Sequence, residues 1–85
     1  MDIYENVKKV LGDKLNVDEA LITPESNLMA DLGASSLDRV DIEMELEEIF
    51  KVEISNDESQ LIINPGDVAA VIERKLKLKN ADNEE

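Results

Sequence analysis

A chain of 85 residues makes one domain that buries only about 60 to 65% of its unfolded surface, so it builds one modest core and large pockets are not expected. With 42% apolar residues it is globular rather than disordered, no apolar run approaches the ~18 residues of a membrane span, and the lack of cysteine excludes disulfides and thiolate metal sites. Between residues 16 and 72 stand fourteen acids and two bases, Arg39 and Lys51, against seven of each elsewhere, so the net charge of -12 lies mid-chain, where it repels nucleic acid and anionic lipid and favours basic protein partners.

Ile3, Val7, Val10 and Leu11 recur at helical spacing and predict a first helix over residues 3–15. The following stretch, NVDEALITPESNLMADLGAS, has no sustained period, and Pro24 turns Thr23 away from helical geometry. It reads as a long loop, ordered because Ile22, Leu28 and Leu32 anchor it. Nothing breaks a helix from Leu37 to Phe50, which makes the second helix the strongest element. NDESQLII, residues 56–63, predicts a helical turn or two. Asn64 as N-cap, Pro65 at the first helical position and Asp67 at the third open a last helix with Val68, Val71, Ile72 and Leu76 on one face. Its basic residues, Arg74, Lys75, Lys77 and Lys79, stand where the C-terminal dipole favours cations. Residues 80–85 are expected to fray, which leaves 1–79 as the domain. No strand pattern or repeat is present. The predicted fold is all-α: a small bundle of three longer helices plus one short helix, with a long loop between the first and second. The N-terminus shows no secretory signal, so a cytoplasmic setting is expected.

Chemistry concentrates in DLGASSLDRV, residues 31–40. With Ser35 as N-cap, Asp38 becomes the third helical residue of a capping pair and Ser36 the first. Ser35 then turns onto backbone N–H groups, whereas Ser36 projects from a helix start whose donors and dipole favour an attached phosphate. The plainer alternative is that both serines only cap the helix. Catalysis by Ser36 is not expected, because the chain has no His or Cys to act as base or nucleophile. A calcium loop starting at Asp31 fails on spacing, with Gly33 and Ser35 at the third and fifth positions and Ile42 at the twelfth. No catalytic or metal site is predicted.

The second helix carries two apolar arcs. Ile42, Leu46, Ile49 and Phe50 form one, and Leu37, Val40 and Met44 form another roughly opposite, edged by Asp41, Glu48 and Glu47. One core cannot take both. The second arc is therefore either filler tucked into the bundle or a greasy strip with an acidic rim, suited to a partner whose apolar groove is ringed by Lys or Arg.

DLGASSLDRVDIEMELEEIFKVEI, residues 31–54, resembles the acyl carrier proteins of fatty acid synthesis, whose signature is D-L-G-x-D-S-L-D followed by an acidic helix ending E-E-x-F-x-x-x-I. Helix lengths, the long first loop and total size agree over nearly the whole chain. The resemblance implies that Ser36 carries 4'-phosphopantetheine through a phosphodiester, with acyl groups held as thioesters on the terminal thiol of that arm. A cysteine-free protein needs such an added thiol. It implies further that Leu37, Asp38, Asp41, Met44, Glu47 and Glu48 dock partner enzymes. Leu46, Phe50, Ile54, Ile62 and Ala69 would line a cleft for a short acyl chain. Two positions depart from the pattern: Ser35 replaces the usual Asp, whose carboxylate helps the phosphopantetheinyl transferase and its metal recognise the carrier, and Arg39 places a cation where many relatives are neutral. Both changes suggest a specialised carrier as much as a housekeeping one.

The expected function is thus a non-enzymatic acyl carrier for fatty acid or related lipid biosynthesis. A phosphopantetheinyl transferase and acyl-loading, condensing and acyl-transfer enzymes would be its partners, and a monomer is expected. The alternatives are a polyketide, aminoacyl or D-alanyl carrier, and an unmodified acidic helical module.

Overall fold

The computed structural model describes residues 2–83, and among these no strand occurs. Four helices follow in order, α1 (Ile3–Leu15), α2 (Ser36–Phe50), α3 (Asn56–Leu61) and α4 (Pro65–Asn83), with one 3-10 turn, Glu19–Leu21, in the loop after α1. The all-α bundle with a long first loop is therefore the observed fold. Each helix start is written in the sequence. Asp2 accepts from the Glu5 N–H at 3.1 Å, and Ser55 and Glu58 exchange bonds across the start of α3. Asn64 and Asp67 do the same at α4, with Pro65 at the first position, where a missing N–H costs nothing. The first helices end on left-handed residues, Asn16 at φ 59° and Lys51 at φ 58°.

The core gathers Val7, Val10 and Leu11 of α1, Ile42, Leu46 and Phe50 of α2, and Val68, Val71 and Ile72 of α4, with Ile62 and the loop residues Ile22, Leu28, Leu32 and Ala34. Removing these side chains from water is the main driving force for folding. α1 lies against both α2 and α4. The long loop is fixed by backbone bonds: the Leu28 N–H donates to the Ile63 carbonyl and the Gly66 N–H to the Pro24 carbonyl, both at 3.0 Å. Within it the buried Ser26 hydroxyl accepts from the Thr23 N–H at 3.0 Å. The loop thus docks on the α3–α4 junction and delivers the chain to the start of α2.

α4 runs to Asn83, with no Gly or Pro between Lys79 and that residue to stop a helix. Glu84 and Glu85, the rest of the expected frayed tail, lie outside the described residues. Ile49, read as part of the buried arc of α2, is 37% exposed. It lies about 60° from Leu46 around the helix, at the edge of the arc, and lines a shallow cleft with Glu45, Glu48 and Lys51.

Candidate functional site

The start of α2 gives its two serines different surroundings. Ser35 has extended backbone, its hydroxyl accepts from the Asp38 N–H at 3.1 Å, and its own N–H donates to the Asp38 carboxylate at 3.0 Å. This is a complete capping box. Ser36 is the first helical residue and is exposed, and among the described residues no hydrogen bond engages its hydroxyl. Just upstream, Gly33 holds φ 76°, a conformation that L side chains rarely adopt, and the space above it is open. The chain turns there, Ala34 buries, and the next two residues emerge at the helix start. An exposed hydroxyl beside the positive end of a fifteen-residue helix accommodates a phosphodiester, sterically and electrostatically.

Beyond Ser36, the second arc of α2 faces outward. Leu37 is 79% exposed, Val40 51% and Met44 59%, with Asp41 and Glu48 exposed beside them. This arc is therefore not tucked into the bundle. Asp38 and Glu47 are half-buried and engaged in local bonds, Asp38 in the capping box and Glu47 as acceptor of the Ile54 N–H at 2.7 Å. Glu47 thereby pins the connection between α2 and α3.

Of the five residues expected to line an acyl cleft, Leu46, Phe50 and Ile62 are buried core residues, and Ile54 and Ala69 pack against the same cluster half-buried. They adjoin one apolar interior, and two clefts reach different members of the set. Ile62 lines one of about 270 Å³ with Arg39 and Met29. Ala69 lines another of about 440 Å³ on the α1–α4 side.

Arg39 has a structural place that the sequence did not reveal. Its Nη2 donates to the Ser59 carbonyl at 2.6 Å and to the Ile62 carbonyl at 3.0 Å, tying α2 to the end of α3. The available signal was its isolation, as the one cation among the six acids of α2. On the other side of α3, Glu58 meets Lys75 Nζ at 2.9 Å and Arg74 Nη2 at 3.0 Å. The Lys75 ammonium and the Ser55 N–H lower the Glu58 carboxyl to about 2.

Comparison with known proteins shows the family. The sequence profile described as "Phosphopantetheine attachment site" matches residues 5–72. An acyl carrier protein of Helicobacter pylori is 45% identical over 73 residues, which span 86% of this chain and 94% of that relative. The chain belongs to the acyl carrier protein family. An acyl carrier protein of Thermotoga maritima is 41% identical over 75 residues, covering 88% of this chain and 93% of the relative. The solved structure of the acyl carrier protein from Enterococcus faecalis superposes with a TM-score of 0.75 at 25% identity, covering 86% of this chain and 92% of that one. Phosphopantetheine is therefore the cofactor, and acyl carrier proteins are carriers rather than catalysts. Among the described residues no helix is long and apolar enough to cross a membrane.

Proposed function

We propose that Ser36 is the attachment point, its hydroxyl oxygen forming the phosphodiester to 4'-phosphopantetheine, and that the chain carries acyl intermediates for fatty acid or related lipid biosynthesis. The observation that carries this reading is the division of labour at the start of α2: the Ser35 hydroxyl is spent on the cap, and the Ser36 hydroxyl is exposed and unbonded. The attached arm supplies the thiol that the polypeptide lacks, and with it thioester chemistry. The protein's own residues present and recognise. The first turn of α2 places backbone donors beside the phosphodiester. Leu37 and Met44 offer apolar contact, and Asp41 and Glu48 offer charge, to enzymes whose docking surfaces are basic. Asp38 and Glu47 belong to the same face and also hold its geometry through the cap and the Ile54 N–H.

The partners on this reading are a phosphopantetheinyl transferase and acyl-loading, condensing and acyl-transfer enzymes, met in the cytoplasm by a monomeric carrier. The strong acidity of α2 leans the choice toward fatty acyl groups. Leu46, Phe50, Ile54, Ile62 and Ala69 supply the apolar walls against which a short acyl chain would shelter.

Intact mass of the protein from its native host tests the reading. A phosphopantetheinyl adduct is expected, bearing a fatty acyl group in a fraction of molecules. An aminoacyl, D-alanyl or polyketide adduct would move the assignment to another pathway, and an unmodified mass would leave only a helical interaction module.

A further inference from the structure

The seam between α2 and α3 carries a polar stitch that attachment and docking do not use. Arg39 Nη2 holds the Ser59 and Ile62 carbonyls at 2.6 and 3.0 Å. One turn along α2, the Glu43 carboxylate oxygens accept from the Ser59 hydroxyl at 2.9 and 2.8 Å. Ser36, Arg39 and Glu43 follow at spacings of three and four, so they lie along one side of α2. The wall they hold is short and lightly packed. α3 has six residues, none of them buried. α1 packs against α2 and α4, whereas α3 is held by polar side-chain contacts to α2 and α4. Ile62, the residue that caps the end of α3, is only 3% exposed and belongs to the core.

We propose that Arg39 is the latch on this wall and so a specificity-determining residue: it sets how readily an acyl chain carried from Ser36 enters the apolar core between α2 and α3. The inference rests on the reading of Ser36 as the attachment point. An entering chain must part α3 from α2. That strips two backbone carbonyls of their donor and strands a half-buried guanidinium, while the arriving hydrocarbon keeps out the water that would otherwise replace those bonds. The guanidinium already holds one buried donor, Nε, with no partner among the described residues, so it has no alternative set of acceptors waiting. The latch therefore biases the carrier against sheltering long apolar chains.

The test loads acetyl and octanoyl groups as thioesters on the phosphopantetheinylated natural protein and on Arg39→Met. Methionine keeps the apolar stem and removes every donor. The readout is the rate of thioester cleavage by hydroxylamine, expressed as the protection of octanoyl relative to acetyl. Protection should rise about threefold or more in Arg39→Met, the size expected from losing one to two net hydrogen bonds that oppose opening. Equal or smaller protection would overturn the latch. Should circular dichroism show that Arg39→Met is unfolded, Arg39→Lys takes its place, because one ammonium replaces the fork. A gain in the same direction is expected, and no gain overturns the proposal. Intact mass before the assay separates the two levels. A natural protein that takes no adduct on Ser36 overturns the carrier reading and the latch with it, whereas an adduct followed by equal protection overturns the latch alone.

Discussion

Ser35 and Asp38 exchange two hydrogen bonds across the first turn of α2, hydroxyl to N–H at 3.1 Å and N–H to carboxylate at 3.0 Å. This reciprocal pair fixes where the helix begins, and hence that the next hydroxyl, that of Ser36, stands free at its first position. Ser35→Ala should cost about 0.5 to 2 kcal/mol, the usual loss of an N-cap, read as a lower denaturation midpoint. Ser35→Asp should leave the midpoint nearly unchanged, since both residues cap well, and should speed loading by a generic phosphopantetheinyl transferase by placing a carboxylate where the signature it resembles has Asp. Equal loading rates for the natural protein and the Asp variant would show that the missing carboxylate is without consequence.

Glu58 links α3 to α4 and gives the fold a specific acid sensitivity. The Lys75 ammonium, the Ser55 N–H and the Arg74 guanidinium hold its carboxyl at about 2, against an ordinary 4.5. A depressed folded value means that the stabilisation is complete above the unfolded value and is lost as pH falls from about 4.5 toward 2. Arg74 is 61% exposed, so solvent screening reduces the contribution to about 1 kcal/mol. Glu58→Gln should therefore lower the urea midpoint at pH 7, and the gap to the natural protein should close by pH 2. A gap that stays constant across that range would show that Glu58 acts through packing and not through charge.

Tyr4 carries a buried hydroxyl with no partner among the described residues. Burial pushes its pKa up, partly opposed by Lys8, whose ammonium sits 5.5 Å from the ring centroid. Tyr4→Phe removes an unsatisfied polar group and keeps the ring and its cation contact. It should raise stability by about 1 kcal/mol. A lower midpoint would mean that the hydroxyl is hydrogen-bonded in solution.

The helix starts and the anchored loop were legible because each rests on local rules, whereas the pattern left open whether the second arc of α2 tucks in or faces out. Capping spacing placed Ser35, Asn64 and Pro65, and period placed Val7, Leu11, Ile42 and Leu46 in the core. What escaped depends on contacts between residues far apart in the chain. Arg39 read as an odd cation because its acceptors are 20 and 23 residues away. Glu47 read as part of the acidic rim because its bond to the Ile54 N–H follows from the left-handed turn at Lys51.

The central claim is that the Ser36 hydroxyl, and no other, carries the arm. It is tested most directly by incubating the natural protein and Ser36→Ala with coenzyme A and a broad-specificity phosphopantetheinyl transferase, followed by intact and peptide mass spectrometry. The account predicts one phosphopantetheinyl adduct on Ser36 of the natural protein. It predicts none on Ser36→Ala, which should keep the helical circular dichroism and the denaturation midpoint of the natural chain because an exposed first-turn hydroxyl contributes little to packing. An adduct mapped to Ser35, or one retained by a folded Ser36→Ala protein, would contradict it.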